Sequence, residues 1–397
     1  MSGIKEHQRR RARRRRRRQI RRLLYAALSL CICIGLIAII RLLLRPDSPD
    51  SAGKADKAAE KSAEIDTSQV EVKNLVINTG TQNSENSDGP IKITVSSMGD
   101  CTLGTDENFN QSTSFNAYYN AQGPDYFFKN VRSILEEDDL SIINLEGTFT
   151  DSDQRQEKTF AFKADPEYVS ILTGSSIEAA NLANNHSRDY GEESYTDTVE
   201  TLDQAGIASF GYDQVDLLEI NGVKVGLTGI YELAEHLDKQ QEVKENIAAL
   251  KEAGAQVIIV NFHWGIEKEY VPNDTQKTLA HLAIDEGADL VIGHHPHVLQ
   301  GIERYKGKYI AYSLGNFSFG GNSNPSDKDT MIFQQTFTVA DGKAETNDDI
   351  NIIPCSLSSA SGYNDYCPTP LEGSEKERVL EKLQEYSADF EDAPDLL

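Results

Sequence analysis

The sequence predicts an α/β fold with its chemistry at strand ends, tethered by an N-terminal transmembrane helix. Three observations carry this reading. Strand-like and helix-like segments alternate from Ile91 onward, which is the order of an α/β domain with helices covering a central sheet. Asp, Glu, Asn and His follow the apolar strands directly, where the carboxyl ends of parallel strands form a ligand-binding edge. And "LLYAALSLCICIGLIAII" (Leu23–Ile40) is eighteen residues without a charge, about 27 Å of helix and close to the hydrocarbon thickness of a bilayer.

The chain begins with a basic tail, residues 1–22. Residues 1–45 hold fourteen Lys and Arg against one acid, leaving 25 bases against 62 acids in residues 46–397. So sharp a split implies two environments. "RRRARRRRRRQIRR" (Arg9–Arg22) abuts the apolar run, and a block this basic stays cytoplasmic. Its place beside a hydrophobic span explains it through topology and anionic lipid rather than nucleic acid, so no nucleic-acid partner is expected. Residues 23–44 are the anchor in the cell membrane, with Arg41 near one end where it can snorkel. No small-x-small cleavage site follows the run, which favours a retained anchor over a removed signal peptide. The C-terminal part is then extracytoplasmic.

Residues 45–90 read as a linker: "SPDSAGKADKAAEKSAEIDTSQ" and "NTGTQNSENSDGP" bury too little to offset ordering entropy. Only "VEVKNLVI" (Val70–Ile77) has the composition of a strand. The main domain spans 91–373. Strands are expected at Ile91–Asp100, Leu140–Gly147, Ile177–His186, Ala255–Gly265, Ala288–His297 and Gly307–Phe317, each apolar and rich in β-branched residues. Helices are expected at Tyr126–Asp139, at Asp165–Ser176 behind an Asp cap and a first-turn Pro, at Glu192–Gly206 stopped by Gly, and at Val243–Gly254 and Thr275–Gly287. Val215–Ile230 reads as a hairpin turning at Asn221-Gly222. Antiparallel strands (Thr330–Val339, Ile350–Ser356) precede a last segment, 374–397, of one helix and an acidic tail.

The strand ends deliver Asp100, Glu146, Asn185 with His186, His263, His295 with His297, and Asn316. Three of only eight histidines stand in "GHHPH", and closely spaced imidazoles after a strand have few structural uses. Singly, each of the others also fits a turn, a cap or a packed core histidine. Together their carboxylate, amide and imidazole donors suit divalent manganese, iron or zinc, and they are too many for one tetrahedral ion, so two metals are expected. Cys355 and Cys367, eleven residues apart, are placed to form a disulfide in an oxidising exterior, leaving Cys101 free.

In chain order, "MGDCTLG", "INLEG", "ANNHSRDYG", "NFHWG", "GADLVIGHHPHVLQGIE" and "YSLGNF" resemble the CapA-type poly-gamma-glutamate capsule-synthesis proteins, relatives of the calcineurin-like metallophosphoesterases. The resemblance covers Ile91 to Gly373. It implies a metallophosphoesterase-like sandwich of two mixed β-sheets flanked by helices, with a dinuclear metal site. Asp100, Glu146, Asn185, His263, His295 and His297 would hold the metals; His186 would be the general acid, with Asp189 orienting it. Thr102 stands where the phosphoesterase Asp-x-His motif has its histidine, and His294 competes with His295 for one ligand position. The resemblance also implies a poly-gamma-glutamate synthase complex as partner, and an anionic polymer or a phosphoester as substrate. A strongly acidic exterior would repel a polyanion at long range. An extracytoplasmic phosphoesterase of unrelated substrate and a non-catalytic assembly factor stay open beside the capsule reading.

Overall fold

The computed structural model describes residues 65–77 and 89–397, all within a compact unit running from Glu64 to Leu397. The basic tail, the apolar run and most of the linker lie outside the described residues. Among those described, no helix is long and apolar enough to cross a membrane.

Two mixed sheets are stacked between helices, as the family resemblance implied and unlike the single central sheet that segment order suggested. The first sheet runs Glu71–Ile77, Gln214–Ile220, Val223–Tyr231, Val257–His263, Leu290–His294, Lys308–Ala311, Ile302–Tyr305. The second runs Thr369–Pro370, Ile350–Ser356, Asp329–Ala340, Ile91–Thr102, Leu140–Leu145, Ala179–Asn181, Ala208–Phe210, with Asn316–Phe319 also paired to Ile91–Thr102. Segment order could not separate them, because both sheets contribute runs of parallel strands with helical crossovers.

Burial on both faces explains the near-continuous apolar strands. Between the sheets, Ile93, Val95, Leu140 and Ile142 of the second meet Leu218, Leu227, Ile259 and Ile292 of the first. On the outer face of the first sheet, Ile258, Val260 and Phe262 pack on Val243, Ile247, Leu279 and Ala283 of helices Gln240–Glu252 and Asp274–Glu286. The latter helix opens with a capping box of Asn273 and Gln276 and ends at Gly287 in the left-handed region. Outside the second sheet, Met98, Ile143 and Ala180 meet Phe115, Phe127, Leu172 and Leu202. The hairpin turns where expected, with Asn221 and Gly222 both at positive φ.

Several expectations need correction. Glu71–Ile77 pairs in parallel with Gln214–Ile220, so part of the stretch read as linker is an edge strand. The helix expected over Tyr126–Asp139 shrinks to Arg132–Leu135, because Phe127, Phe128, Val131 and Leu135 bury themselves through irregular turns rather than one helical face. The C-terminal helix, Gly373–Ser387, is no appendage: Val379 and Leu383 are fully buried, and Arg378 and Lys382 pair with Asp329. Cys355 and Cys367 are both free and buried, each thiol taken up by a backbone carbonyl, of Ile353 and Tyr126.

Candidate metal centre

The carboxyl ends of the parallel strands from both sheets face one another, and the site lies where they meet. Asp100 lies fully buried near the end of the strand Ile91–Thr102; Glu146 follows Leu145; Asn185 and His186 follow Ala179–Asn181 by a short turn. From the first sheet, His263 ends its strand, and His295 and His297 follow Leu290–His294. The backbone there is forced: His295 and His297 have φ of 94° and 57°, each costing about 1–3 kcal/mol that surrounding packing must hold. The glycine before them is obligatory, since a Cβ on Gly293 would stand 2.0 Å from the Tyr312 carbonyl oxygen.

Two triads emerge, each able to place one ligand atom per residue within 4.8 Å of the others: Asp100, Glu146 and His263, and Glu146, His295 and His297. Glu146 belongs to both. It is completely buried, and neither carboxylate oxygen has a hydrogen-bond partner. Burial, and then the neighbouring Asp100 charge, push its carboxyl well above the usual range. An orphaned buried carboxylate is costly, and a shared cation on each side is what would satisfy it. The six residues expected as ligands do converge. His263 Nε2 lies 2.8 Å from Asn185 Oδ1 and 3.3 Å from Glu146 Oε1, and His297 Nδ1 lies 3.0 Å from Asp100 Oδ2. The mix of carboxylate, amide oxygen and imidazole fits divalent transition metals.

The histidines differ in charge. Burial lowers His263 well below its ordinary value and His295 to about 4, both toward the neutral form that ligates. His297 is also penalised by burial, but Glu146 and Asp100 raise it to about 9. Burial would raise Asp100, yet His294 and His297 outweigh it and hold that carboxylate well below the usual range. His294 turns to Asn261 Oδ1 at 3.3 Å and stands 3.5 Å from Asp100, and it belongs to neither triad, whereas His295 belongs to one.

His186 stands apart from the triads. Its Nδ1 donates to Asp189 Oδ2 at 2.8 Å, and no hydrogen bond among the described residues uses Nε2. The ring lines a cavity of about 210 Å3 together with Glu146 and His297. Burial lowers its proton affinity, against the pull of Asp189. Asp189 is saturated, accepting also from the Phe162 backbone N–H and from Lys158 Nζ, both at 2.6 Å.

Two contributors, Asn144 and Lys158, escaped the sequence reading. Asn144 donates to Asp100 at 2.8 Å and touches His263 Nδ1 at 3.3 Å, so one amide orients two of the ligand candidates. Its carbonyl oxygen is held by Asn181 Nδ2 at 3.0 Å. Lys158 reaches in from a loop with no apolar pattern to mark it, and also donates to the Asn185 carbonyl at 2.7 Å. Asn316, already among the strand-end donors, accepts from His297 Nδ1 at 2.9 Å. The run of asparagines in "INLEG" and "ANNH" was the available signal for the first.

Comparison with known proteins gives the same family. Residues 94–321 match the model of the family described as "Bacterial capsule synthesis protein PGA_cap". Over 319 residues the chain is 28% identical to a capsule biosynthesis protein CapA of Bacillus anthracis, covering 74% of this chain and 73% of that protein. It is 32% identical over 222 residues to a PGA biosynthesis protein CapA of Bacillus subtilis, covering 50% of this chain and 58% of that one. A Mycobacterium tuberculosis protein described as a probable polyglutamine synthesis accessory protein is 32% identical over 209 residues, 45% of this chain and 55% of its own. The chain belongs to the PGA_cap family of bacterial capsule synthesis proteins.

Proposed function

We propose that this chain is a membrane-anchored, extracytoplasmic component of poly-gamma-glutamate capsule biosynthesis or export, carrying a dinuclear-metal hydrolase-type site. The observation that carries the site is Glu146, a doubly orphaned buried carboxylate shared by two candidate ligand triads. The capsule role is supported by the names of the Bacillus relatives, and the M. tuberculosis relative's name as an accessory protein supports a synthase complex as partner. The anchor, with a cytoplasmic N-terminus, rests on the charge-free run at Leu23–Ile40 and the arginine block before it.

Asp100, Asn185 and His263 would hold one cation, His295 and His297 another, with Glu146 between them. Bound there, such ions supply Lewis acidity and lower the pKa of a coordinated water. The chain's own part is proton handling and exclusion. Asp189 fixes the His186 tautomer with hydrogen on Nδ1, leaving Nε2 to exchange a proton at the cavity wall once the ring is charged. Phe162 lies against that ring at 4.6 Å and shields it from bulk water. Lys158 Nζ, 2.6 Å from Asp189 Oδ1, holds that carboxylate in place.

Deletion of the gene should abolish capsule polymer, with no rescue by His186→Ala. Rescue by that variant would remove catalysis from the role and leave an assembly factor. Thr102, buried with its hydroxyl unpartnered where phosphoesterases have a histidine, favours the capsule reading over a general phosphoesterase. A C-terminal reporter should be accessible only from outside the cell.

A further inference from the structure

Beside the cavity at the metal centre lies a second, of about 300 Å3, and the two share Phe160, Gly321 and Asn322 as a common wall. Its character is unusual for this chain. Residues 46–397 are strongly acidic, yet none of the nine residues lining this cavity is charged. Two phenylalanines, Phe109 and Phe160, line it, and Phe162 leads from them to the cavity at the centre. Phe160 and Phe162 are parallel within 5° at 6.3 Å, and Phe109 meets both edge-on, at 5.9 and 6.2 Å. Phe162 in turn touches the His186 ring. Phe160 is 48% exposed.

The polar groups at the rim are amides and hydroxyls. Asn110 and Asn322 use their Oδ1 atoms to hold local turns, through Ser112 and Asn324. No hydrogen bond among the described residues uses either Nδ2, or the Ser323 hydroxyl. An open aromatic face ringed by uncharged donors matches one ligand chemistry well. The C–H face of a pyranose ring is apolar and slightly positive, suiting the negative face of an aromatic ring, while its hydroxyls pair with amides. A polyanion would need cations here to offset desolvation of its carboxylates, and the lining offers none.

We propose that this cavity is a glycan subsite, holding one or two sugar units of a neutral polysaccharide so that a bond next to them lies at the metal centre. The orientation of the bound chain rests on the metal-centre reading; the binding itself does not.

Isothermal titration tests this on the full chain in a detergent without a sugar headgroup, both as purified and after chelation. The neutral probe is tetra-N-acetylchitotetraose and the charged probe is tetra-γ-glutamate. The neutral probe should bind in both states. Phe160→Ala should weaken it by at least about tenfold, while melting like the wild type. Phe160→Trp should retain it and gain ligand-dependent emission, since the native Trp264 is fully buried. The charged probe should not displace the neutral one. No binding of the neutral probe at millimolar concentration, binding unchanged in Phe160→Ala, or displacement by tetra-γ-glutamate would each overturn the proposal. Metal content of the same samples reports separately on the centre, so the two failures are told apart.

Discussion

Oε1 of Glu146 lies 3.3 Å from Nε2 of His263, a contact between residues that end strands of different sheets. The stacking of the two sheets creates that contact, and the candidate centre exists only because both carboxyl edges point the same way. Glu146→Gln keeps the shape but removes the shared negative charge. Metal retained through dialysis should drop by at least about 100-fold in affinity, as for loss of a bridging ligand. Metal analysis and the melting temperature should both respond, the first by loss and the second by becoming insensitive to added metal.

Asn144→Ala should act through the ligands rather than as one. With the amide gone, Asp100 and His263 lose a common hydrogen-bonding partner. Metal affinity should fall by about 10–100-fold. Asn144→Asp, which cannot donate to a carboxylate, should be no better.

Turnover of a generic phosphodiester such as bis-p-nitrophenyl phosphate would expose the proton chemistry. His186→Ala should lower it by about 10²–10⁴-fold with metal content unchanged. Lys158→Met should lower it less and move the alkaline limb of the pH profile to higher pH, because the Lys158 charge lowers the proton affinity of His186 and Asp189 would lose one of its three donors.

Gly293→Ala should destabilise the fold and scatter the histidines together. A methyl at 2.0 Å from the Tyr312 carbonyl and 2.4 Å from Trp264 Nε1 has no room, and neither neighbour is the tip of a flexible chain. A loss of about 2–4 kcal/mol in chemical denaturation is expected.

Away from the site, burial pushes Asp216 up to about 7. Unfolded, the group titrates in the ordinary carboxylate range, so between these limits the folded state holds a proton the unfolded state has released. Its contribution to stability is therefore fully present at low pH and lost as pH rises toward 7. Asp216→Asn should gain on the wild type by about 2 kcal/mol between pH 5 and pH 8. Glu178 and Asp138, also raised to about 7 by burial, act in the same direction.

Much of this was legible in the sequence because the signals were local. Strand ends, the Asn221-Gly222 turn and the clustered histidines each announce themselves within a few residues. What was hidden depends on partners far along the chain. Two stacked sheets look like one when each crossover is read alone. Glu71–Ile77 has the composition of a strand, but its neighbour, Gln214–Ile220, lies more than a hundred residues along the chain. Phe127 and Phe128 read as one face of a helix until the packing around Phe115 and Phe317 demanded irregular turns. Lys158 has no pattern at all; only Asp189, brought beside it by the fold, gives it a role. His294 and His295 could be separated only by backbone geometry, since one ends its strand and the other bends away at positive φ.

Metal analysis of the gently purified full chain, wild type against Glu146→Gln, tests the central claim most directly. The account predicts between one and two equivalents of a divalent transition metal in the wild type, and near none in the variant, with the fold intact. Less than about half an equivalent in the wild type, or equal content in the two proteins, would contradict it.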